Sequence, residues 1–318
     1  MRLHYRGRGR AALLGLAAGF AALSLLTAPV AAAPSVVASI LPLHSLTAAL
    51  MAGVGEPRLL VEGAASPHSF SLKPSDARAL DEAELVIWIG EGLESFLQRP
   101  LETLGEKEKV VTLSEAEGMR LLRQRAPGLK DRGATVPDRA QDRGIDDLHL
   151  WLDPANAIVA AETIAEALAR RDPEHAQGYQ KNLRQLKETL LRLEQRAAEA
   201  LAPHQAQRFL VFHDAYQYFE QAFGLQSAGS LMLDPERQPG ARRLRAMRNW
   251  VGDAGELCVF TEPQFEPRLA RVLTEDTKAH LAVLDPLGAD LEPGPEAYVA
   301  LMEGLVRSFI ACFEALDG

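Results

Sequence analysis

The sequence predicts an α/β fold with two lobes, each a mainly parallel sheet flanked by helices, joined by one long rigid helix. Short apolar runs alternate with amphipathic stretches in both halves of the chain, and this alternation favours parallel strands covered on both faces. One amphipathic stretch between the halves is longer than the others. The 318 residues are enough for two units that each bury a core. The predicted organisation is an N-terminal lobe over 34–171, the joining helix over 172–203 and a C-terminal lobe over 204–318.

The joining helix is predicted over Asp172–Leu201. Its apolar residues recur at alternating steps of four and three, which places them on one face. Asp172 can accept hydrogen bonds from the first free backbone amides, Pro173 suits the first helical position, and Pro203 prevents continuation. At about 1.5 Å per residue the helix spans roughly 40 Å, so it can run the height of both lobes. The predicted apolar face consists of Tyr179, Leu183, Leu186, Leu190, Leu193, Ala197 and Ala200.

The first half is predicted as strands and helices in alternation, because short, mostly apolar runs are followed by stretches with helical periodicity. The stretch from Arg123 to Asp146 has no periodicity and is rich in Arg, Asp, Gly and Pro, so we expect a long, mobile surface loop there. The predicted strands are Val36–Leu41, Arg58–Val61, Leu85–Ile89 and Lys109–Leu113, and the predicted helices are His44–Met51, Pro74–Ala83, Glu94–Leu104 and Ala155–Arg171.

The second half repeats the alternation without a clear sequence repeat. Four apolar runs are again each followed by a helical pattern, which predicts a second sheet of the same kind. The predicted strands are Phe209–Phe212, Ala228–Leu233, Leu257–Phe260 and Leu281–Leu284, and the predicted helices are Tyr216–Phe223, Ala241–Val251, Pro267–Lys278 and Ala297–Leu316.

The N-terminal segment 1–33 has the features of a secretory signal peptide. Four arginines precede an apolar run over Ala11–Leu26, and small residues follow as far as Ala33. We expect cleavage near Ala31 to Ala33, and no cysteine stands there to carry a lipid. No later apolar run approaches the length of a membrane span. In a bacterium with two membranes, the predicted location is therefore the periplasm.

Charge restricts the class of partner. The segment 1–33 holds four of the basic residues and no acidic one, so its removal changes the formal net charge from −9 to −13. This balance argues against a nucleic-acid partner and favours a cationic ligand.

Four residues are candidate metal ligands: His68, His149, His213 and Asp285. Ligands of open α/β sheets bind beyond the carboxyl ends of strands, and His213 and Asp285 directly follow predicted strands. Two candidates precede the joining helix and two follow it, which indicates a site in the cleft between the lobes. Taken singly, each residue also has a structural interpretation. His68 can be a surface histidine, His149 can be a core histidine bonded to a carbonyl, and Asp285 can cap a turn. Asp214 can cap a helix or support His213.

The two cysteines, Cys258 and Cys312, are predicted to form a disulfide. They are the only cysteines of the chain, and a pair in an exported protein is more often a disulfide than a metal clip.

Five sequence motifs together resemble, in this order, the zinc-binding subunit of bacterial ABC zinc importers (ZnuA type). The resemblance covers roughly Val36–Cys312. The motifs are Ser66–Asp76 (SPHSFSLKPSD), Leu148–Pro154 (LHLWLDP), Phe212–Phe219 (FHDAYQYF), Cys258–Gln264 (CVFTEPQ) and Leu284–Gly288 (LDPLG).

The resemblance implies two α/β lobes joined by a long helix, with the metal between them. It carries the three histidine ligands of the family to His68, His149 and His213, and the carboxylate position of the second lobe to Asp285. Relatives that prefer manganese have Glu in place of His213, and imidazole suits zinc better than it suits harder cations. The family's cysteine pair also matches Cys258 and Cys312.

Two departures from the family pattern matter. Some zinc-type members have a Glu, suggested as an additional ligand, where this chain has Pro67, so the fourth position falls to Asp285, to water, or to both in turn. Many members carry a His-rich acidic stretch between the first two ligand histidines, whereas Arg123–Asp146 contains no histidine. A second, metal-gathering site is therefore not expected there.

The predicted function is capture of Zn²⁺ as a periplasmic solute-binding protein, with delivery to an inner-membrane ABC permease and its cytoplasmic ATPase. The protein is expected to be a monomer and not an enzyme. One alternative is a manganese-binding relative of the same family. The other is an exported zinc hydrolase with Glu262 as general base, which the absence of a His-Glu-x-x-His pairing and of a Gly-x-Ser-x-Gly turn disfavours.

Overall fold

The structure is a computed structural model, and it describes residues 32–125, 144–232, 240–265 and 268–316. The predicted signal peptide up to Ala31 and the middle of the predicted loop, 126–143, lie outside the described residues. Leu233 and Pro267, each at one end of a predicted element, lie outside them as well.

The first half contains a four-stranded parallel sheet with the order β2-β1-β3-β4. Its strands are short, two to four residues each, and most of their residues are apolar. The strands are β1 (Val36–Ala38), β2 (Arg58–Leu59), β3 (Leu85–Trp88) and β4 (Val110–Thr112), and the helices between them are α1 (Leu41–Leu50), α2 (Pro74–Glu82) and α3 (Ser95–Thr103). All seven elements were predicted, and no boundary differs by more than three residues.

A two-stranded antiparallel ribbon occupies the ends of the predicted loop. Strand β5 (Leu122–Arg123) pairs with β6 (Asp146–Asp147), and Gln124 N–H donates to the Ile145 carbonyl (3.0 Å). The expectation of irregular structure from Arg123 to Asp146 is therefore wrong at both ends. Two residues per strand are too few to give an alternating pattern, so the sequence carries no strand signal there.

Two long helices follow the ribbon, α4 (Pro154–Arg171) and α5 (Ala176–Leu201). A 3₁₀ turn, Pro173–His175, precedes α5, so Pro173 opens this tighter turn instead of the α-helix itself. Asp172 caps it as predicted, because its side chain accepts a hydrogen bond from His175 N–H (3.4 Å). The predicted apolar face is buried at Tyr179, Leu186, Leu190, Leu193 and Ala197.

The end of that face differs from the prediction. Ala200 is exposed and Leu201 is buried in its place, while Leu183 is half-buried. A strict alternation of four and three drifts from the true helical repeat of 3.6 residues, so the last apolar position falls one residue later.

The second half contains another four-stranded parallel sheet, with the order β8-β7-β9-β10. Numbered within each sheet, both orders read 2-1-3-4, so the two halves share one topology despite the lack of a sequence repeat. The strands are β7 (Phe209–His213), β8 (Ser227–Met232), β9 (Leu257–Thr261) and β10 (Ala279–Val283), and the helices are α6 (Gln217–Phe223), α7 (Ala241–Ala254), α8 (Arg268–Thr274) and α9 (Ala297–Glu314).

The disulfide predicted for the two cysteines is present. It joins Cys258 on β9 to Cys312 on α9, with 6.1 Å between the Cα atoms. The two cysteines are 54 positions apart in the sequence, and in the chain-entropy model such a cross-link stabilises the fold by about 4 kcal/mol.

One apolar core extends through both halves. Helix α5 packs against α1 and α4 of the first half and against α6 and α9 of the second. Hydrogen bonds cross as well: Trp151 Nε1–H donates to the Pro286 carbonyl, and Tyr298 OH donates to the Trp151 carbonyl (both 2.8 Å). A separate cluster fills the space between the second sheet and α7 and α8. None of the described helices has the length and apolarity that crossing a membrane requires.

Candidate metal centre

Three histidines that are far apart in the sequence meet in the structure. The ring centroids of His149 and His213 are 4.8 Å apart, and the ring of His68 lies 5.5 Å from the first and 5.3 Å from the second. One nitrogen atom of each ring lies within 4.8 Å of the other two. His149 and His213 are buried and His68 is half-buried. Within the described ranges this is the one group of three or more His, Cys, Asp or Glu side chains that could hold a metal ion.

The dimensions of this group fit a small cation. Zinc binds imidazole nitrogen at about 2.0–2.1 Å, so a tetrahedral ion needs nitrogen atoms about 3.4 Å apart. The histidine nitrogens lie within 4.8 Å of one another, so a change of at most about 1.4 Å in each separation would bring them to that spacing.

His68 belongs to the loop that follows β2. The backbone N–H of His68 donates to Ser66 Oγ (3.3 Å), and Ser69 N–H donates to the Ser66 carbonyl (3.3 Å), so a tight turn presents the imidazole. Pro67 between them restricts the backbone of the turn. Burial lowers the pKa of His68 well below its usual value, and the neighbouring His149 and His213 lower it further.

His149 follows the ribbon and is oriented by Asp147. The backbone N–H of His149 donates to Asp147 Oδ1 (3.1 Å), and its Nδ1 lies 2.8 Å from the same oxygen. When Nδ1–H donates to this carboxylate, Nε2 keeps its lone pair for a metal ion. Burial lowers the pKa of His149 well below its usual value, with a further contribution from His213, so the ring is neutral.

His213 is the last residue of β7, and Glu262 directly follows the neighbouring strand β9. Chain order reverses between these two strands, which is where α/β sheets bind ligands. His213 Nδ1 lies 3.3 Å from Glu262 Oε2, and both side chains are buried. Burial favours a lower pKa for His213, but the carboxylates of Glu262, Asp214 and Asp147 together outweigh it, so the pKa is raised. Burial raises the pKa of Glu262.

Asp285 lies outside the histidine group. Its carboxylate accepts hydrogen bonds from the backbone N–H groups of Leu287 (3.1 Å), Gly288 (2.9 Å) and Ala289 (2.5 Å), and from Gln264 Nε2 (3.1 Å). This is the turn-capping arrangement that the sequence left open for Asp285. Its role as a metal ligand stays a prediction.

Sequence reasoning missed the partners of the histidines. Asp147 stands two residues before His149, and that spacing was the available signal. The sequence offers Glu262 only as a general base of the hydrolase alternative, but its carboxylate is buried against His213 and orients the ring. For Asp214 the sequence allows a helix cap or a support for His213, and the structure pairs it with Arg125, which lies in the predicted loop.

A family model for ZnuA, described as the periplasmic component A of a zinc-uptake complex, matches residues 36–312. The chain belongs to the ZnuA family. By this description the family is a periplasmic component of an uptake complex, which is not a class of enzyme.

Individual ZnuA proteins are similar over most of their length. High-affinity zinc uptake system protein ZnuA of Brucella abortus (strain 2308) is 43% identical over 303 residues, which cover 87% of this chain and 91% of the relative. The protein of the same name from Yersinia pestis is 35% identical over 294 residues, covering 89% and 92%. A crystal structure of a zinc-bound ZnuA deletion mutant superposes with a TM-score of 0.72 at 26% identity, covering 87% of this chain and 97% of that one.

Proposed function

We propose that this protein captures Zn²⁺ in the periplasm and delivers it to an inner-membrane ABC permease that a cytoplasmic ATPase drives. The observation that carries the proposal is the convergence of His68, His149 and His213, within 4.8 Å of one another. The first two come from the chain before α5 and the third from the chain after it, so one ion would bridge the two halves. The relative from Brucella abortus, named for high-affinity zinc uptake, supports zinc as the cargo.

The donor atoms favour zinc over manganese. Imidazole nitrogen suits zinc, whereas manganese prefers carboxylate and water oxygens. The carboxylates that contact the histidines, Asp147 and Glu262, accept hydrogen bonds from them.

We assign the fourth coordination position of the zinc ion to Asp285, which competes for it with a water molecule. A zinc ion on three imidazoles keeps one position open. To ligate it, Asp285 has to release some of the hydrogen bonds that hold it in its turn. If Asp285 ligates zinc, Asp285→Asn weakens zinc binding at pH 7, and if water takes the position, affinity stays at the wild-type value.

The export route and the assembly follow from the same proposal. The signal peptide is removed near Ala31 to Ala33, the mature chain is a periplasmic monomer, and Cys258 and Cys312 are oxidised there. N-terminal sequencing of the secreted protein tests the cleavage position, and light scattering tests the monomer.

The decisive experiment is calorimetric titration of the chelator-stripped mature protein with Zn²⁺ and then Mn²⁺, beside two variants. His213→Ala removes a proposed ligand, and His280→Ala removes an exposed histidine as a matched control. We expect one zinc ion per chain and weak manganese binding. Because loss of even an outer partner of a ligand costs 10–100-fold in affinity, His213→Ala should weaken zinc binding by more than about 100-fold.

His280→Ala should bind zinc like the wild-type protein. Equal zinc affinity of the wild-type protein and His213→Ala would remove the three-histidine site. Tighter binding of manganese than of zinc would favour the manganese alternative, and zinc-dependent hydrolysis of esters or peptides would favour the hydrolase.

A further inference from the structure

Arg125, in the first half of the chain, forms ion pairs with two carboxylates of the second half, Asp214 and Glu220. Its Nε–H donates to Asp214 Oδ2 (3.0 Å), and a second guanidinium nitrogen donates to Asp214 Oδ1. The same guanidinium donates to both oxygens of Glu220 (2.7 and 2.8 Å). The Arg125 side chain is 25% exposed, and those of Asp214 and Glu220 are 13% and 4% exposed. Arg125 therefore holds two carboxylates in fixed, largely buried geometry.

In the first half, Arg125 lies two residues after strand β5 of the ribbon, and the other strand of the ribbon carries Asp147, the hydrogen-bond partner of His149. Strand β5 pairs with β6, and β6 ends at Asp147, which receives hydrogen bonds from both Nδ1 and the backbone N–H of His149. The backbone of the ribbon is in turn bonded to α6. Leu122 N–H donates to Tyr218 OH (2.9 Å), and Tyr218 OH donates to the Asp147 carbonyl (2.7 Å).

On the side of the second half, the two carboxylates are part of the structure around His213. Asp214 is the residue after His213, at the point where β7 ends. Glu220 lies on α6 and also accepts hydrogen bonds from the backbone N–H (3.1 Å) and hydroxyl (3.2 Å) of Ser227, at the start of β8. The guanidinium is thus fixed to the strand that supplies His213 and to the helix beside it.

We propose that Arg125 is a positioning residue for the metal ion: it sets the placement of His149 relative to His213 by tying the ribbon to the end of β7. The inference rests on the proposed zinc-binding function. The connection runs from His149 through Asp147, the paired strands β6 and β5, Arg125 and Asp214 to His213. One ion must satisfy both histidines at once, so an error in their separation lowers affinity directly.

Electrostatics alone would oppose a cation at this position. The positive charge of Arg125 lies close to the histidine group, since the guanidinium is bonded to Asp214, the residue after His213. Such a charge repels an incoming metal ion, and a purely electrostatic view predicts tighter zinc binding without it. A positioning role predicts the opposite result, which is weaker zinc binding without Arg125. The planar fork of arginine can bind two carboxylates at once, a geometry that lysine cannot reproduce.

The test compares zinc affinity, by competition with a chromophoric chelator, for the wild-type protein, Arg125→Gln, Arg125→Lys and the control Arg196→Gln. Arg196 on α5 also pairs with a carboxylate of another element, Glu303 on α9, but these side chains are 56% and 42% exposed and neither helix carries one of the three histidines. We expect Arg125→Gln to weaken zinc binding about tenfold or more, within the range seen for outer partners of metal ligands. Arg125→Lys should lose much of this affinity although the charge is kept, and Arg196→Gln should match the wild-type protein.

A second readout separates positioning from simple loss of stability. Co²⁺ in place of Zn²⁺ reports coordination geometry through its visible absorption, which a change in global stability leaves unaltered in the folded protein. The Co²⁺ spectrum of both Arg125 variants should differ from that of the wild-type protein, and that of Arg196→Gln should not. If Arg125→Gln fails to fold, Arg125→Lys decides the question.

Unchanged or tighter zinc binding by a folded Arg125 variant, with a wild-type Co²⁺ spectrum, overturns the inference. That result leaves the proposed function intact, because the wild-type protein and His213→Ala test it separately. If the wild-type protein binds no zinc, the proposed function fails first, and the inference fails with it.

Discussion

The carboxylate of Glu262 determines which nitrogen of His213 is available to a metal ion. Its Oε2 lies 3.3 Å from Nδ1 of the histidine. When Nδ1–H donates to this carboxylate, Nε2 of the neutral ring keeps its lone pair for a metal ion. An amide at position 262 can keep a hydrogen bond but removes the negative charge that makes the imidazole a stronger ligand. We predict that Glu262→Gln lowers zinc affinity about 10–100-fold without loss of the fold.

Chelator competition at pH 7 measures this effect, and Glu256→Gln serves as the control. Glu256 is exposed and lies at the other end of the same strand, where Lys278 is 3.9 Å away. Wild-type affinity of Glu262→Gln would show that the charge of Glu262 does not assist His213.

A second buried carboxyl, Glu94, makes stability depend on pH. Burial raises the pKa of Glu94 to about 7, although its Oε2 accepts backbone hydrogen bonds from Ile89 (2.8 Å) and Gly90 (3.0 Å). Its Oε1 has no hydrogen-bond partner among the described residues. Because the pKa in the folded state is higher than the usual 4.5 of this carboxyl, the folded protein holds the proton more tightly. This contribution to stability is complete below about pH 4.5 and is lost as the pH rises through 7.

We therefore predict that Glu94→Gln, whose amide cannot ionise, raises the free energy of unfolding relative to the wild-type protein at pH 8. A shift of this size corresponds to about 3 kcal/mol as an upper limit. At pH 5 the two proteins should differ much less. Denaturant unfolding at both pH values measures the difference, with Glu91→Gln, at an exposed neighbouring position, as the control. A stability difference that does not change between pH 5 and pH 8 would contradict the prediction.

At the scale of elements, helix α5 shows how strongly one apolar face determines the fold. Leu190 is fully buried on the face that packs against both halves, whereas the next residue, Leu191, is 53% exposed. We predict that Leu190→Ala lowers the free energy of unfolding by about 2–5 kcal/mol, the usual cost of truncating a buried leucine. Leu191→Ala should change it by less than about 0.5 kcal/mol. Denaturant titration compares the two, and equal losses would mean that α5 does not form the spine of the core.

The same element was predictable because its signals are local. The cap at Asp172, the apolar repeat and the prolines at 173 and 203 all lie within or beside the helix itself. The strands of both sheets were also predictable, since parallel strands buried on two faces appear as apolar runs. The ribbon was not, because Leu122 and Asp147 are held by the hydroxyl of Tyr218, about 70 or more residues away in the sequence.

The residues of the candidate metal centre likewise fall into two groups, those that the sequence indicates and those that it does not. Three histidines and Asp285, at loop or strand ends, could be selected from the sequence, and their placement before and after the long helix indicated one cleft site. The resemblance to a family added their assignment as metal ligands. The partners that orient them could not, since the contact of His213 with Glu262 exists only when β7 and β9 pair. Arg125 carried even less signal, because it stands in a stretch without periodicity and its carboxylate partners lie in the other half of the chain.

At the scale of the whole molecule, the continuous core limits how far the two halves can move apart. Helix α5 packs against helices of both halves, and Trp151 connects them through hydrogen bonds to the Pro286 carbonyl and from Tyr298. A wide hinge motion would have to expose this apolar interface, at about 25 cal/mol for every Å² returned to water. Local rearrangement of the loop that carries His68 disturbs much less of it, since His68 is only half-buried.

We therefore predict that zinc release changes the shape of the protein only locally. Small-angle X-ray scattering of the chelator-stripped and zinc-loaded mature protein should give the same radius of gyration within error. Amide hydrogen exchange should slow on zinc binding around Ser66–Ser69 and leave α5 unchanged, because shear and local ordering need no opening of the core. A marked compaction with zinc would show that the halves rotate about α5, and the spine would then be a hinge.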